Sequence, residues 1–466
     1  MDAGIKTIHH DLTSGKRSCY EIVQEKLSLL SANDCHTANL LLEESALRQA
    51  KTVDEKIRAG KPIGLLEGIP FGIQDVILLQ NSITTGGSAF LKNYTAPYTA
   101  TAIQKLIDAG AIPIVKEKCD SFGHGSAEQD VSGSGSAENV AKGLTAFSIG
   151  ANADVSIRRA AGYNQIYGLK PTYGRVSRYG MMADMSTTDC MGSIASSLED
   201  IRLLINTMSG TDPHDPTTCS SPMIPENVFD AGYSGKEIVA GYYKSFLDND
   251  YLDLSVKEDF LQLLDTLSAN GIKVIPLDFF DVNLLTSVFN VLAMAEEASN
   301  LARLDGSLYG ARAKSASRDS GMKTRADNFS KETISRIVGG NMAVASGNYK
   351  DIYLKARLLR SNIVERLNVG FKEVDVILSP VTVGAVNAAA GTTVSNTAAD
   401  TTVSNAAARR DVACNVSTNA FTAGFSLGGL PTLTIPFFTP TGLQITSNKN
   451  QEDVILNFAH ALKEML

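Results

Sequence analysis

A glycine- and serine-rich stretch, residues 131–137, is the most unusual local sequence of the chain and reads Val-Ser-Gly-Ser-Gly-Ser-Ala. Ser156, Ile157 and Arg158 follow it downstream. Glycine accepts positive φ angles and leaves room, so such a loop suits a site where backbone N–H groups approach a ligand closely. Glycine and serine are also common in plain flexible turns. Both interpretations stay open on the spacing alone.

Short apolar runs alternate with helical patterns on either side of this stretch. Strands are predicted at residues 69–79, 111–115 and 147–150, a helix at 100–109, and strand and turn at 168–180. Strand, helix and buried strand in succession are typical of an α/β layered fold. Further strands are predicted at 237–242, 272–276, 374–378 and 429–436, and helices at 255–269, 284–303, 349–369 and 453–466.

Helix signals are also present before and after the Gly/Ser stretch. Residues 1–60 predict a helical N-terminal arm with two helices, one N-capped by Ser18 and one spanning residues 43–59. The spacing Ser197-x-x-Asp200 predicts a capping box at the start of a later helix. Residues 384–412 differ from the rest, because small polar residues dominate and the sequence Thr-Thr-Val-Ser-Asn occurs twice. Such a segment buries little apolar surface and predicts a mobile loop.

Composition excludes several classes of protein. The 466 residues carry 42 Lys+Arg against 50 Asp+Glu, a formal net charge of −8, and 44% of them are hydrophobic. That apolar content is too high for a disordered chain, and no apolar run is long enough for a membrane span. No Lys/Arg block suggests a chain that mainly grips phosphate backbone. The N-terminus resembles neither a secretion signal nor a presequence, so we expect a cytoplasmic protein.

Cysteines and histidines give no sign of a metal site. The six cysteines are scattered without a C-x-x-C pair and are interpreted as reduced, mostly buried thiols. The histidines show no metal-ligand spacing. No phosphate-binding loop or dinucleotide fingerprint follows a predicted strand. We therefore predict neither a metal nor a cofactor.

Several segments together resemble the amidase-signature family, most closely its amidotransferase A-type branch. The run Leu-Lys-Pro-Thr-Tyr-Gly-Arg-Val-Ser-Arg-Tyr-Gly within residues 168–180 is particularly specific. The other matching segments are residues 66–73, 108–112, 135–137, 300–306 and 429–431. The resemblance implies one α/β/α domain over residues 1–466, with a mixed central sheet covered by helices and a helical N-terminal arm. It further implies B- and C-type partner subunits, and a tRNA engaged mainly through those partners.

Members of the family cleave amides with a serine, a bridging cis-serine and a lysine. Carried onto this chain, the resemblance places the nucleophile at Ser156 and the bridging serine at Ser132. The lysine position falls on Gln74, whose amide can form hydrogen bonds but cannot accept the proton. Lys116, Lys118 and His124 could in principle supply a base from elsewhere, but an ordinary surface or strand-end role is favoured for each of them.

The resemblance also reveals departures around these positions. Ala153, Asp154 and Val155 stand where the family has a Gly-rich turn that holds the oxyanion. A segment that the family carries is missing between Ser126 and Ser132. Asn419 occupies the position of an aspartate that binds the substrate ammonium group. Arg336, by contrast, matches the arginine that grips the α-carboxylate of glutamine, although a solvated or ion-paired arginine is an equal alternative.

Two functions follow from this comparison. The first is a catalytically impaired amidase-fold subunit, which serves as a structural or regulatory partner in an assembly. The alternative is an active glutaminase subunit of a tRNA-dependent amidotransferase, or a free amidase, in which Ser156 is the nucleophile and a different residue is the base. Neither function requires a membrane or a metal.

Overall fold

A mixed β-sheet is the framework of the described residues. The computed structural model describes residues 4–32, 36–123, 135–152, 156–229, 238–249, 252–313, 319–384, 419, 421–439 and 441–465. Within these ranges the sheet has 11 strands in the order β1-β3-β2-β4-β6-β5-β10-β11-β9-β7-β8. The strands are β1 (Ala38–Leu41), β2 (Pro70–Gln74), β3 (Ile112–Glu117), β4 (Phe147–Asn152), β5 (Tyr167–Lys170), β6 (Cys190–Ala195), β7 (Val239–Tyr243), β8 (Lys273–Leu277), β9 (Val376–Pro380), β10 (Thr432–Ile435) and β11 (Leu443–Ser447).

Helices cover this sheet, and the described residues form 15 of them. They are α1 (Ile5–Thr13), α2 (Cys19–Ala32), α3 (Glu43–Arg58), α4 (Thr101–Asp108), α5 (Gly135–Ala141), α6 (Ser156–Tyr163), α7 (Leu198–Met208), α8 (Lys244–Leu247), α9 (Leu254–Ala269), α10 (Val282–Leu301), α11 (Ser320–Asn328), α12 (Lys331–Val344), α13 (Lys355–Gly370), α14 (Ala423–Gly428) and α15 (Glu452–Met465). No described helix is both long enough and apolar enough to cross a membrane. The predicted α/β class with a mixed central sheet is confirmed.

The N-terminal residues add their apolar faces to the main core. Ser18 and Glu21 form a capping box at the start of α2, since each side chain binds the backbone N–H of the other. The two predicted helices are present as α2 and α3, and the structure adds α1 and the edge strand β1, which pairs antiparallel with β3. Ile5, Ile8 and Leu12 of α1 are buried in the same apolar cluster as the sheet.

Most predicted elements occur within a few residues of their expected bounds. The Ser197 hydroxyl accepts a hydrogen bond from the Asp200 N–H, as the capping box predicts. Other elements were missed, among them β6, β11, α11 and α12. Except for Gly384, the low-complexity segment 384–412 lies outside the described residues. That residues 1–466 form a single domain stays a prediction.

Candidate active site

Three parallel strands end together at one edge of the sheet, and each ends in a polar residue. β2 pairs in parallel with β3 on one side and with β4 on the other. Their last residues are Gln74, Glu117 and Asn152, and all three side chains are buried. In open α/β sheets, ligands bind beyond the carboxyl ends of parallel strands. This edge is therefore the candidate active site.

Ser156 lies at this edge as the first residue of α6. Its hydroxyl donates a hydrogen bond to the carbonyl oxygen of Ala151 at 3.0 Å. The Asn152 side chain accepts from the N–H of Ile157 at 3.2 Å and so satisfies one of the free N–H groups of the first helical turn. The strand before Ser156 is the one that the sequence predicts. The hydroxyl group of Ser156 thus donates to a backbone carbonyl oxygen in this structure.

Gln74, at the predicted lysine position, forms a backbone contact next to Ser156. Its side chain is 7% exposed. The amide oxygen accepts a hydrogen bond from the Ala151 N–H at 2.7 Å. A primary amide has no accessible basic nitrogen, so it cannot take a proton from serine. In the observed geometry Gln74 acts as an acceptor that holds β4.

Lys116, one of the candidate bases, is held in a buried ion pair. It pairs in register with Ile73, so strand alternation directs its side chain to the sheet face opposite that of Gln74. There its ammonium group lies 3.3 Å from Asp75 Oδ1 and donates to Thr84 Oγ1 and to the carbonyl of Ile77. Burial lowers the pKa of Lys116, while Asp75 acts in the opposite direction. The partners of the amine are thus Asp75, Thr84 and Ile77.

The other two candidate bases gain no support from the structure. Lys118 is exposed, and its backbone N–H binds the carbonyl of Thr37. His124 lies outside the described residues.

Glu117 is a residue of this edge that the sequence analysis missed. It is fully buried, and its Oε1 atom accepts from Asn139 Nδ2 at 3.0 Å and from Ser148 Oγ at 2.7 Å. Burial raises the pKa of Glu117, and the hydrogen bonds from these two side chains oppose that shift only in part. The available signal was a carboxylate two residues after the apolar run 111–115 that begins β3. Charged residues are rarely fully buried unless they are partnered.

Arg336 is ion-paired inside the protein. It lies on α12, and its Nε donates to Glu297 Oε2 at 2.5 Å while its Nη2 donates to Oε1. Glu297, on α10, is 2% exposed. An arginine fork that binds both oxygens of one carboxylate is a strong, geometrically specific contact. The structure thus shows the ion-paired state that the sequence analysis weighed against a substrate-binding role.

The remaining predicted site residues are only partly visible. Asn419 is half-buried, and its carbonyl oxygen accepts from the Thr422 N–H at 3.2 Å. Ser132, Ala153, Asp154 and Val155 lie outside the described residues. Within the described part of the chain, no group of three or more His, Cys, Asp or Glu side chains could hold a metal ion.

Comparison with known families gives a match over most of the chain. The family model described as Amidase matches residues 21–130 and 131–456. The chain therefore belongs to the amidase family, as its motifs predict.

Among individual proteins, the chain is similar to the A subunit of the glutamyl-tRNA(Gln) amidotransferase of Nostoc punctiforme. The two are 34% identical over 494 aligned positions, which cover 99% of this chain and 97% of the relative. The predicted closeness to amidotransferase A subunits is confirmed.

Solved structures agree on the fold. The A subunit of the glutamyl-tRNA(Gln) amidotransferase from Thermotoga maritima superposes with a TM-score of 0.72 at 23% identity, over 96% of this chain and 91% of that one. A chain of a complex described as vestigial, and as revealing the evolutionary origins of an s-triazine catabolic enzyme, gives a TM-score of 0.80 at 21% identity. The match covers 99% of this chain and 98% of the other. At these identities the likeness establishes the fold alone.

Proposed function

We propose that this chain is a catalytically impaired homologue of the amidotransferase A subunit, and that it acts as a structural or regulatory subunit. The observation that carries the proposal is the hydrogen bond from the Ala151 N–H to Gln74 Oε1 at 2.7 Å. By the resemblance, Gln74 occupies the position from which the family draws its proton acceptor, and this hydrogen bond engages its non-basic amide with the backbone. Loss of one member of a catalytic triad typically removes several orders of magnitude of rate.

Three other predicted site residues support the same proposal. By the resemblance, Asp154 occupies a sequence position of the Gly-rich turn whose backbone N–H donors hold the oxyanion in the family, and a carboxylate is not a donor. Arg336 is already bound by Glu297, so the substrate-carboxylate role implied by the resemblance would require that ion pair to open. Asn419 lacks the charge with which an aspartate would bind an ammonium group.

The relatives' name suggests what the partners would be. A protein that keeps the A-type scaffold would bind B- and C-type subunits, and any tRNA would be contacted mainly by those partners. The net charge of −8 fits a chain that leaves phosphate contacts to other chains. We place this assembly in the cytoplasm.

The test is glutamine and amide hydrolysis by the purified chain, alone and with B- and C-type subunits from its host. We expect no hydrolysis above that of Ser156→Ala and no labelling of Ser156 by a fluorophosphonate probe. Co-purification with the two partner subunits would support the structural role. Hydrolysis that disappears in Ser156→Ala would instead establish the alternative, an active glutaminase or free amidase with a different base.

A further inference from the structure

Glu117 and Gln74 are neighbours on adjacent parallel strands. They are register partners in the β2–β3 ladder, so their side chains emerge on the same face of the sheet. Both are buried at the edge that leads to Ser156. A buried carboxyl group therefore lies next to the position at which the family carries a lysine.

The carboxyl group of Glu117 crosses over β2 at Gly72. A Cβ atom at Gly72 would lie 2.8 Å from Oε2 and closer still to Oε1, so only glycine leaves room for the group. On the far side of β2, Ser148 of β4 donates to Oε1. Gly72 and Gln74 are two residues apart, about 6.6 Å along the strand. The carboxyl group is thus within reach of a four-carbon side chain at position 74.

One oxygen of this carboxyl group is satisfied and the other is not. Oε1 accepts the hydrogen bonds from Asn139 and Ser148, whereas Oε2 has no hydrogen-bond partner among the described residues. Ser136 lies beside the group, but its hydroxyl makes no hydrogen bond of good geometry there. A buried acceptor without a donor is costly, and a cationic donor is the partner it would bind most strongly.

We propose that Glu117 is a second residue that disables the site, because it would capture and keep protonated any lysine placed at position 74. This inference rests on the proposed loss of activity and adds a second cause to it. A lysine acts as a base only when its ammonium form is disfavoured. The carboxyl group of Glu117 would give its proton to the lysine amine, and the carboxylate so formed would favour the ammonium form. The site is therefore at least two substitutions away from a working base, with Gln74→Lys alone insufficient.

A double-substitution cycle tests this coupling without any need for activity. Urea unfolding at pH 7 is compared for the unaltered chain, Gln74→Lys, Glu117→Gln and the double variant. We expect the Gln74→Lys change to lower the folding equilibrium constant about tenfold more when Glu117 is replaced than when it is present. Gln74→Met in both backgrounds is the matched control, because its side chain has similar length and no charge, and its cost should not depend on Glu117.

Each outcome decides the proposal. Equal costs of Gln74→Lys in the two backgrounds would overturn it, as would a Gln74→Lys chain that fails to fold while Gln74→Met folds. A double variant that fails to fold while Gln74→Lys folds would support it. The coupling between positions 74 and 117 is measured independently of the proposed function. Amide hydrolysis by the unaltered chain would refute the proposed loss of activity but would not change that coupling.

Discussion

Gln74 and Ser156 bind the two polar groups of a single residue, Ala151. The Gln74 amide oxygen accepts the Ala151 N–H at 2.7 Å, and the Ser156 hydroxyl donates to the Ala151 carbonyl at 3.0 Å. Gln74, at the predicted base position, and Ser156, at the predicted nucleophile position, therefore both stabilise the backbone near the end of β4. Their present contacts are those of side chains that fix a backbone.

Replacement of Gln74 by leucine should destabilise the protein. The change removes the acceptor of the part-buried Ala151 N–H, and an unsatisfied donor costs about 1–3 kcal/mol when fully buried, so we expect a loss toward the lower end of that range. Ser156→Ala is the matched control: Ser156 is only half-buried, so we expect a loss below about 1 kcal/mol. Urea unfolding of both variants measures the difference, and equal losses would show that Gln74 has no special bracing role.

The ion pair between Arg336 and Glu297 should respond unequally to removal of its two partners. Glu297 is almost fully buried, whereas the Arg336 side chain is 24% exposed. Arg336→Ala takes the cation from a buried carboxylate, which typically costs about 3–5 kcal/mol. Glu297→Ala leaves an arginine that reaches solvent, so its cost should be smaller. The midpoints of urea unfolding check this order, and a costlier Glu297→Ala would contradict it.

The same pair sets an expectation for ligand binding under the proposed function. With Glu297 in place, the Arg336 fork is already bound to a carboxylate. We expect no heat of binding for L-glutamate with the unaltered chain, and measurable binding by Glu297→Ala. The double variant Glu297→Ala/Arg336→Ala is the control and should not bind. Tight binding by the unaltered chain would mean that a ligand displaces Glu297 readily.

A second buried ion pair holds the C-terminal helix to the loop after β5. Arg175 Nη1 donates to Glu452 Oε2 at 2.7 Å, and the Thr172 N–H donates to Glu452 Oε1 at 2.9 Å. Both charged side chains are nearly inaccessible to solvent. We expect Glu452→Ala to lower the free energy of unfolding by about 3–5 kcal/mol, because it leaves the arginine buried without its counter-ion. Glu464→Ala, on the exposed face of the same helix, should change it by less than about 0.5 kcal/mol.

The sequence predicted the fold class and most elements because their apolar periodicity and caps are local signals. The capping boxes at Ser18 and Ser197 each need only residues three apart. β6 and β11 were missed because their strand character depends on burial by neighbouring strands rather than on their own residues. Glu117 was missed for a related reason, since its importance lies in its register partner Gln74, which is distant in the chain.

Glu117 should also make stability depend on pH, and the sign follows from its environment. Burial raises the pKa of Glu117 in the folded protein above the usual value of 4.5. The native state therefore binds more protons than the unfolded state between the two pKa values. The contribution of the neutral acid to stability is complete below about pH 4.5 and is lost as the pH rises through the folded-state pKa.

Glu117→Gln keeps an oxygen for Asn139 and Ser148 but has no proton to lose. The advantage of the unaltered chain over Glu117→Gln in urea unfolding should therefore shrink as the pH rises above about 4.5 and through the folded-state pKa of Glu117. A difference that stays constant over this range would mean that the carboxyl group does not remain neutral in the folded protein.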